Sequence, residues 1–591
     1  MTEAFNRYKD ISPEETIKRN RSILEALGLI VEEHFTQQTD NIWSGWLYMP
    51  TVDWCVNGKG STELYCKASA YGEALERLEN FAPITSKMKY VLKSKDFPYL
   101  LYKDEKFISI EEVRDNLPDV WKDLYDAYKL DNANSSEEDL LSFLKKDFDD
   151  NATAIGFYDV SSSIVKYLPI DMLQMLTGTN GMCSGNTPDE ALVQGLSEIC
   201  ERYVEHVIYD NNLTPPIIDK SYIEKQYPFI YSLMKEISLK SGYDLEFYDC
   251  SLGKGLPVVC LGIFDVKTQR YRLQYGAHPK MSIALERCLT ELLQGYDLKD
   301  MDDDSTMMSH FCTEDQNKAT SLSNYFNRFI LGNGNAPDSF FYKKSSWDFI
   351  DWSLDEDYSN LNGVRYILRT CKSLGSDVYI RDNGFLGIPA YYIYATGMSP
   401  YKCAIGEHTT SLSTPDHMIS NMSLYCNDFS LEAKKELIDY LLMDDFKYRN
   451  ISRSDRYFKQ ISPKTILAAL YKDISRYDEA IKTLNSFPTN EYRHYAVAKD
   501  IELSMQNVSI ENRDALISRF YGEDALTFVK RFWRTDDTIR QFFTYEEGEF
   551  DEDQVYCSIE DITFNINLLL NCMRSVQQEI EVDQNDIGFF I

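Results

Sequence analysis

Gln194–Ile208 reads QGLSEICERYVEHVI. Leu196, Ile199, Tyr203 and Val207 recur at helical spacing, while Gln194, Glu198 and Glu201 fall at i, i+4 and i+7 on a second stripe. An apolar helix thus carries a line of amide and carboxylate groups, with Arg202 next to the last of them. Upstream, SAYGEALERLEN (Ser69–Asn80) repeats the arrangement position for position. Ser69, Glu73 and Glu76 form its stripe, Arg77 follows the second glutamate, and Ala70, Ala74, Leu75 and Leu78 supply the apolar faces. Downstream, ALERCLTELLQ (Ala284–Gln294) places Arg287 and Glu291 one turn apart, with Gln294 a turn beyond, among Leu285, Leu289, Leu292 and Leu293.

Carboxylates set into largely apolar helices are costly unless a cation meets them, because burying an ionised group uncompensated costs several kcal/mol. Glu73, Glu76, Glu198, Glu201 and Glu291, with arginines beside them, suit a hard, oxygen-seeking ion that also bridges phosphates, as Mg2+ does. Zinc is a poor fit, since the seven histidines show no ligand pairing and the cysteines no ligand spacing. The competing reading is ordinary i,i+4 pairing of Glu and Arg on exposed helices, and spacing alone does not say whether the three stripes face one another. The first two helices follow glycine-rich stretches, NGKG (Asn57–Gly60) and GTNGMCSGN (Gly178–Asn186), which read as turns. Glycine lets backbone N–H groups approach an anion, and a helix N-terminus favours phosphate. Neither stretch is a P-loop.

The chain has 591 residues, 43% hydrophobic and 26% charged, which fits a globular protein of two to four structural units rather than a fibrous or disordered one. With 61 basic and 94 acidic side chains its formal charge is −33, a field that repels phosphate backbones and anionic lipid. Nucleic acid and membrane are therefore not expected as partners, and a nucleotide would need local cations or metal ions. Thirteen cysteines are scattered without a CxxC pair, as in a reducing cytosol. The polar start, Met1–Asp10, has no signal core, and no apolar run approaches a membrane span, so a cytoplasmic protein is expected.

The architecture expected is α/β, a mixed α and β region over 1–430, followed by an all-α module over 431–591. LEFYDCS (Leu245–Ser251) and PVVCLGIF (Pro257–Phe264) read as strands around a Gly253/Gly255 turn; VRYILRT (Val364–Thr370), DVYIRD (Asp377–Asp382) and the run up to Met398 also read as strands. Asp131–Asp150 is acidic and polar, a surface excursion with one short helix. After about Leu431 the pattern is helical. LEAKKELIDYLLM (Leu431–Met443) is one such run, and ILAALYKDISRYDEAIKTLN (Ile466–Asn485) has the spacing of a tetratricopeptide helix pair.

NGKG followed by ASAYGEALERL, then TNGMCSGNTPDEALVQGLSEICERY, then GAHPKMSIALERCLTELLQG, resemble the YcaO family in order over roughly residues 1–430. The length and helical C-terminus resemble its stand-alone bacterial type with a tetratricopeptide-like tail, which is linked to methylthiolation of a ribosomal protein. The resemblance implies ATP and Mg2+ as cofactors, with Glu73, Glu76, Glu198, Glu201 and Glu291 on the metal-bridged phosphates. It also implies that Ser69, Asn186, Gln194, Arg202 and Arg287 contact the nucleotide, with Lys9 and Thr16 closing over it. Cys183 stands where a close relative has serine. Family members activate a peptide backbone amide by phosphorylation, giving azoline, thioamide or amidine according to the nucleophile. A peptide or protein substrate is thus implied, with a homodimer and a partner protein on the C-terminal helices as further expectations. The alternatives are a cyclodehydratase or thioamide-forming enzyme of peptide natural products, or a non-catalytic, nucleotide-stabilised binding module. The ending DQNDIGFFI lacks the proline-rich tail of azoline-forming members, which weakens the cyclising alternative.

Overall fold

The computed structural model describes residues 9–85, 99–292, 335–401, 463–487, 492–538 and 559–590, apart from 53, 132, 266, 268, 269, 354–357 and 581, together with 431, 434, 435, 438 and 442. The chain forms two compact units. One comprises 1–407 with 562–591, and the other 408–561.

The first unit opens with α1 (Pro13–Ala26), β1 (Glu32–Thr39), β2 (Ile42–Met49) and β3 (Trp54–Gly60), the three strands forming an antiparallel sheet that leads into α2 (Glu63–Glu79). Next come β4 (Lys106–Ser109), β5 (Asn151–Asp159), β6 (Ile164–Pro169), β7 (Met182–Ser184) and the long α3 (Pro188–Asp210). They are followed by β8 (Ile217–Ile218), β9 (Asp244–Asp249), β10 (Val258–Asp265), β11 (Arg270–Ala277), α4 (Met281–Glu291), α5 (Asn360–Ser373), β12 (Val378–Asp382) and β13 (Ala390–Ala395). Among the described residues, one further sheet has the order β11-β10-β9-β8 and another β4-β5-β12-β13-β7, with β6 paired to β5.

The sheet of β8–β11 is covered on both faces, which explains why PVVCLGIF lacks a polar alternate. Val258 and Cys260 join the core around Leu196, Ile199, Val204 and Ile208 of α3. Val259, Leu261 and Ile263 instead join Leu285, Cys288 and Leu289 of α4. The pleat therefore fixes two of the stripe-bearing helices against opposite faces of one sheet.

Several expectations change. VRYILRT is not a strand but lies inside α5: Val364, Ile367 and Cys371 are buried at i, i+3 and i+7, Arg365 and Arg369 are exposed, and Ser359 caps the helix at Asn362 N (3.2 Å). A short β-branched run is ambiguous by itself, and packing on α3 decides it. NGKG is the end of β3 rather than a turn, and GTNGMCSGN contains β7. The excursion over Asp131–Asp150 does hold a short helix, Glu137–Asp147, started by a capping box of Ser136 and Asp139.

In the second unit, α6 (Pro463–Asp473), α7 (Tyr477–Leu484), α8 (Tyr492–Met505), α9 (Ile510–Tyr521) and α10 (Glu523–Phe528) pack around Ile466, Leu470, Leu484, Val497, Ile517 and Trp533. Most of Leu431–Met443 and Gln294 lie outside the described residues. The chain then forms α11 (Ile559–Glu579), most of which belongs with the first unit, so the described C-terminal residues are not one uninterrupted module. Arg574, 1% exposed, donates to Leu100 O at 2.8 and 2.6 Å, and Gln577 to Leu101 O at 2.8 Å. Gln584 both accepts from Asp382 N and donates to Asp382 O, at the end of β12.

Candidate functional site

The site is built at strand-to-helix junctions that share one design. At the first, a Cβ on Gly60 would lie 2.5 Å from Cys66 N, so β3 runs hard against the opening turn of α2. Thr62 caps that turn by accepting from Tyr65 N at 3.3 Å. At the second, a Cβ on Gly185 would lie 2.5 Å from Ala191 N, and Thr187 caps α3 by accepting from Glu190 N at 3.3 Å. The repeated sequence pattern thus corresponds to a repeated local structure.

On α2, Arg77 lies 3.2 Å from Glu76 and 3.7 Å from Glu73. Glu198 of α3 acts electrostatically on both of these carboxyls, and Glu291 of α4 acts on Glu73 and Glu201. The three stripes therefore converge. Ser69 is half-buried on α2, one turn before Glu73. Arg287 donates to Gln194 Oε1 at 2.7 Å and lies 3.5 Å from Glu291, tying α4 to α3.

Like charges at close range in a partly enclosed cleft raise carboxyl pKa values. Burial, opposed by Arg77 and reinforced by Glu198 and Glu73, lifts Glu76 to about 8. Burial and Glu291 lift Glu201 to about 7 against Arg202 and Arg287. Glu73 is raised by burial as well, although 30% of its side chain opens to the cleft. Glu291 goes the other way: burial pushes it up, but Lys59, Arg287 and Arg202 together hold it below the ordinary carboxylate value.

A second polar group lies at the start of α3. Glu190, 3% exposed, accepts from Lys9 Nζ (2.9 Å), Asp10 N (3.0 Å) and Asn186 Nδ2 (3.0 Å). Asn186 Oδ1 accepts in turn from Thr16 (2.8 Å) and Arg19 (3.1 Å). The N-terminal segment is thereby clasped onto the helix start. His278 joins the two groups: its ring is fully enclosed, and burial together with Arg287, Lys9 and Lys280 depresses its basicity.

Reading the sequence alone missed Glu190, whose carboxylate organises Lys9 and Asn186, and Lys59, which pairs with Glu291 at 2.5 Å. The i,i+4 relation of Asn186 to Glu190 was a legible signal; the Lys59 pairing, 232 residues apart in the chain, was not. Cys183 is fully buried, and a Cβ on Gly195 would lie 2.6 Å from its sulfur, so its side chain packs inward. Ser184 instead borders the cleft, its N–H meeting Glu76 and its hydroxyl donating to Gly72 O at 3.1 Å.

Among the described residues, no three His, Cys, Asp or Glu side chains stand close enough together to hold a metal ion as they are. Three of the carboxylates are engaged by cationic side chains, Glu76 by Arg77 and Glu291 by Arg287 and Lys59, and Arg77 also lies near Glu73. The residues nonetheless fit Mg2+ and a phosphate chain: five carboxylates face one cleft, burial and neighbouring carboxylates raise two of them to about 8 and about 7, and the buried Nε of Arg202 has no hydrogen-bond partner. A separate cavity of about 660 Å3, lined by Tyr102, Arg381 and Gln584 among others, is no rival for an anion. Arg381 there spends its donors on Asp104, Asn383 and Gly156 O.

Residues 57–399 match the family described as YcaO cyclodehydratase, ATP- and Mg2+-binding. The Escherichia coli protein named ribosomal protein S12 methylthiotransferase accessory factor YcaO is 30% identical over 455 residues, covering 76% of this chain and 75% of its own. An uncharacterized protein of Haemophilus influenzae is 28% identical over 569 residues, 90% of this chain and 92% of its own. Among solved structures, YcaO from Methanopyrus kandleri bound with AMPPCP and Mg2+ matches at TM-score 0.41 and 15% identity, over 66% of this chain and 92% of that one. A heterocyclase in complex with substrate and cofactor matches at TM-score 0.45 and 17% identity, over 66% of this chain and 53% of that one. No helix among the described residues is long and apolar enough to cross a membrane.

Proposed function

Because the chain belongs to the YcaO family, whose members bind ATP and Mg2+, we propose that its converging glutamate stripes form the site of an ATP-dependent enzyme acting on a peptide or protein backbone amide. The observation that carries this reading is the meeting of Glu73 and Glu76, Glu198 and Glu201, and Glu291 from three separate helices in one cleft. Those five would hold Mg2+, which supplies charge neutralisation for the phosphate chain and lowers the repulsion met by an attacking oxyanion. Arg202, whose Nε lacks a partner, and Arg287, which is hydrogen-bonded to Gln194, would contact phosphate oxygens. Ser69, Asn186, Lys9 and Thr16 would hold the rest of the nucleotide, with Glu190 fastening the N-terminal segment through Lys9 and Asn186.

In the reaction proposed, a nucleophile adds to the amide carbon, the resulting oxyanion attacks the γ-phosphorus of ATP, and ADP leaves. Loss of phosphate then carries away the former amide oxygen. Similarity to the Escherichia coli accessory factor favours a role beside methylthiolation of a ribosomal protein, and the cyclodehydratase description of the family favours peptide cyclisation as the second reading. A homodimer and a partner on the second unit belong to the same proposal, as does a cytoplasmic location. Incubation with a candidate peptide labelled with 18O at its backbone amides tests it. Label recovered in inorganic phosphate supports amide activation; turnover with unlabelled phosphate only, or none with either ribosomal or precursor peptides, refutes it.

A further inference from the structure

We propose that Lys59 is a phosphate-binding residue that also serves as a counter-ion of the carboxylate cluster, surrendering Glu291 to Mg2+ and turning to the nucleotide when both bind. The inference rests on the reading of this cleft as a Mg·ATP site.

Lys59 sits in β3 opposite Ser44 of β2, between two glycines that pack closely on α2. A Cβ on Gly58 would lie 2.4 Å from Cys66 O, and one on Gly60 2.5 Å from Cys66 N. The strand is thus packed closely against α2, and the lysine side chain is the part with freedom to change partners. Its Nζ lies 2.5 Å from Glu291 Oε1, with 24% of the lysine side chain and 10% of the glutamate exposed. Its charge also reaches Glu73, on the neighbouring stripe. Besides Lys59, Glu291 has Arg287 at 3.5 Å and accepts from Gln274 Nε2 at 3.3 Å.

A metal ion arriving at the cluster must share Glu291 with an ammonium, and two cations on one carboxylate repel. Lysine is suited to resolve this. Its compact charge on a flexible four-carbon stem can swing several ångströms while its backbone stays put, and its three donors suit a phosphate oxygen. Lys59 should therefore oppose metal binding in the absence of nucleotide and favour binding of the metal–nucleotide pair.

The full-length chain tests this with two probes, Mn2+ alone by paramagnetic resonance and Mg·AMPPCP by calorimetry. Lys59→Gln is expected to bind Mn2+ alone about threefold or more tightly, as loss of one competing ion pair allows. The same variant should bind Mg·AMPPCP at least about tenfold more weakly, through loss of a charge-assisted contact. Opposite signs in one variant distinguish this role from packing, whose loss weakens both. Changes of the same sign, or no change, with a wild-type circular dichroism spectrum overturn the inference. If the glutamine variant does not fold, Lys59→Arg decides. A guanidinium grips a carboxylate with two N–H groups and should weaken Mn2+ binding, so an affinity equal to wild type overturns the inference. Failure of the underlying site reading looks different: the wild type itself would bind neither probe.

Discussion

Glu198 faces carboxylates on two helices at once, through Glu73 and Glu76 on α2 and Glu201 on its own. Glu198→Gln keeps the volume and removes the charge, so ATP turnover and stabilisation by Mg·ATP should both be lost while the circular dichroism melt of the free protein stays cooperative. Unchanged turnover would remove Glu198 from the metal site. Arg287→Ala should act differently, because it deletes a donor to Gln194 and a neighbour of Glu291 rather than a ligand of the ion. Its apparent KM for ATP should rise by roughly 10- to 150-fold, the equivalent of about 1.5–3 kcal/mol for a charge-assisted contact. At Gly60 the limit is steric. A methyl placed 2.5 Å from Cys66 N must displace helix backbone, so Gly60→Ala should cost about 1–3 kcal/mol or more of stability in a denaturant titration.

The stripe-bearing helices also set a pH dependence. In the metal-free protein Glu76, at about 8, and Glu201, at about 7, bind protons more tightly than the ordinary carboxylate value of 4.5. The folded state therefore holds more protons than the unfolded one between these values, and the stabilisation from the neutral carboxyls, complete below about 4.5, is lost as pH rises through 7 to 8. A divalent ion requires the ionised forms, so Mg·ATP affinity should climb over the same window and protons should be released on binding near pH 7. Calorimetry in buffers of different ionisation enthalpy checks this, and a buffer-independent enthalpy would mean that the carboxyls are already ionised. A melting temperature raised by ATP with Mg2+ but not by ATP with EDTA is expected on the same grounds.

At the scale of the chain, the described part of the terminal segment from 562 onward belongs to the first unit. Arg574 is buried and fastened to Leu100 O, and Tyr99 donates to Arg574 O at 3.1 Å. A fragment ending near residue 430 lacks this helix and should aggregate or melt early even though it contains every candidate ligand. Arg574→Ala in the full chain should lower stability by about 1.5–3 kcal/mol, measured by denaturant midpoint, since a buried carbonyl loses a charged donor. A stable, ATP-binding fragment over 1–430 would show that α11 is dispensable.

Much of the candidate site was legible in the chain because helical periodicity is local: a repeat at i, i+4 and i+7 predicts α2 and α3 and the residues sharing each stripe, whatever the fold around them. Composition likewise implied that a phosphate ligand needs cations. VRYILRT shows the limit of such reasoning, since four apolar residues in seven satisfy strand or helix and only the face of α3 decides between them. The meeting of the stripes, the Lys59–Glu291 pair and the return of α11 were decided by tertiary structure. They depend on which sheet face each helix covers and on partners hundreds of residues apart, and no short-range pattern encodes those separations.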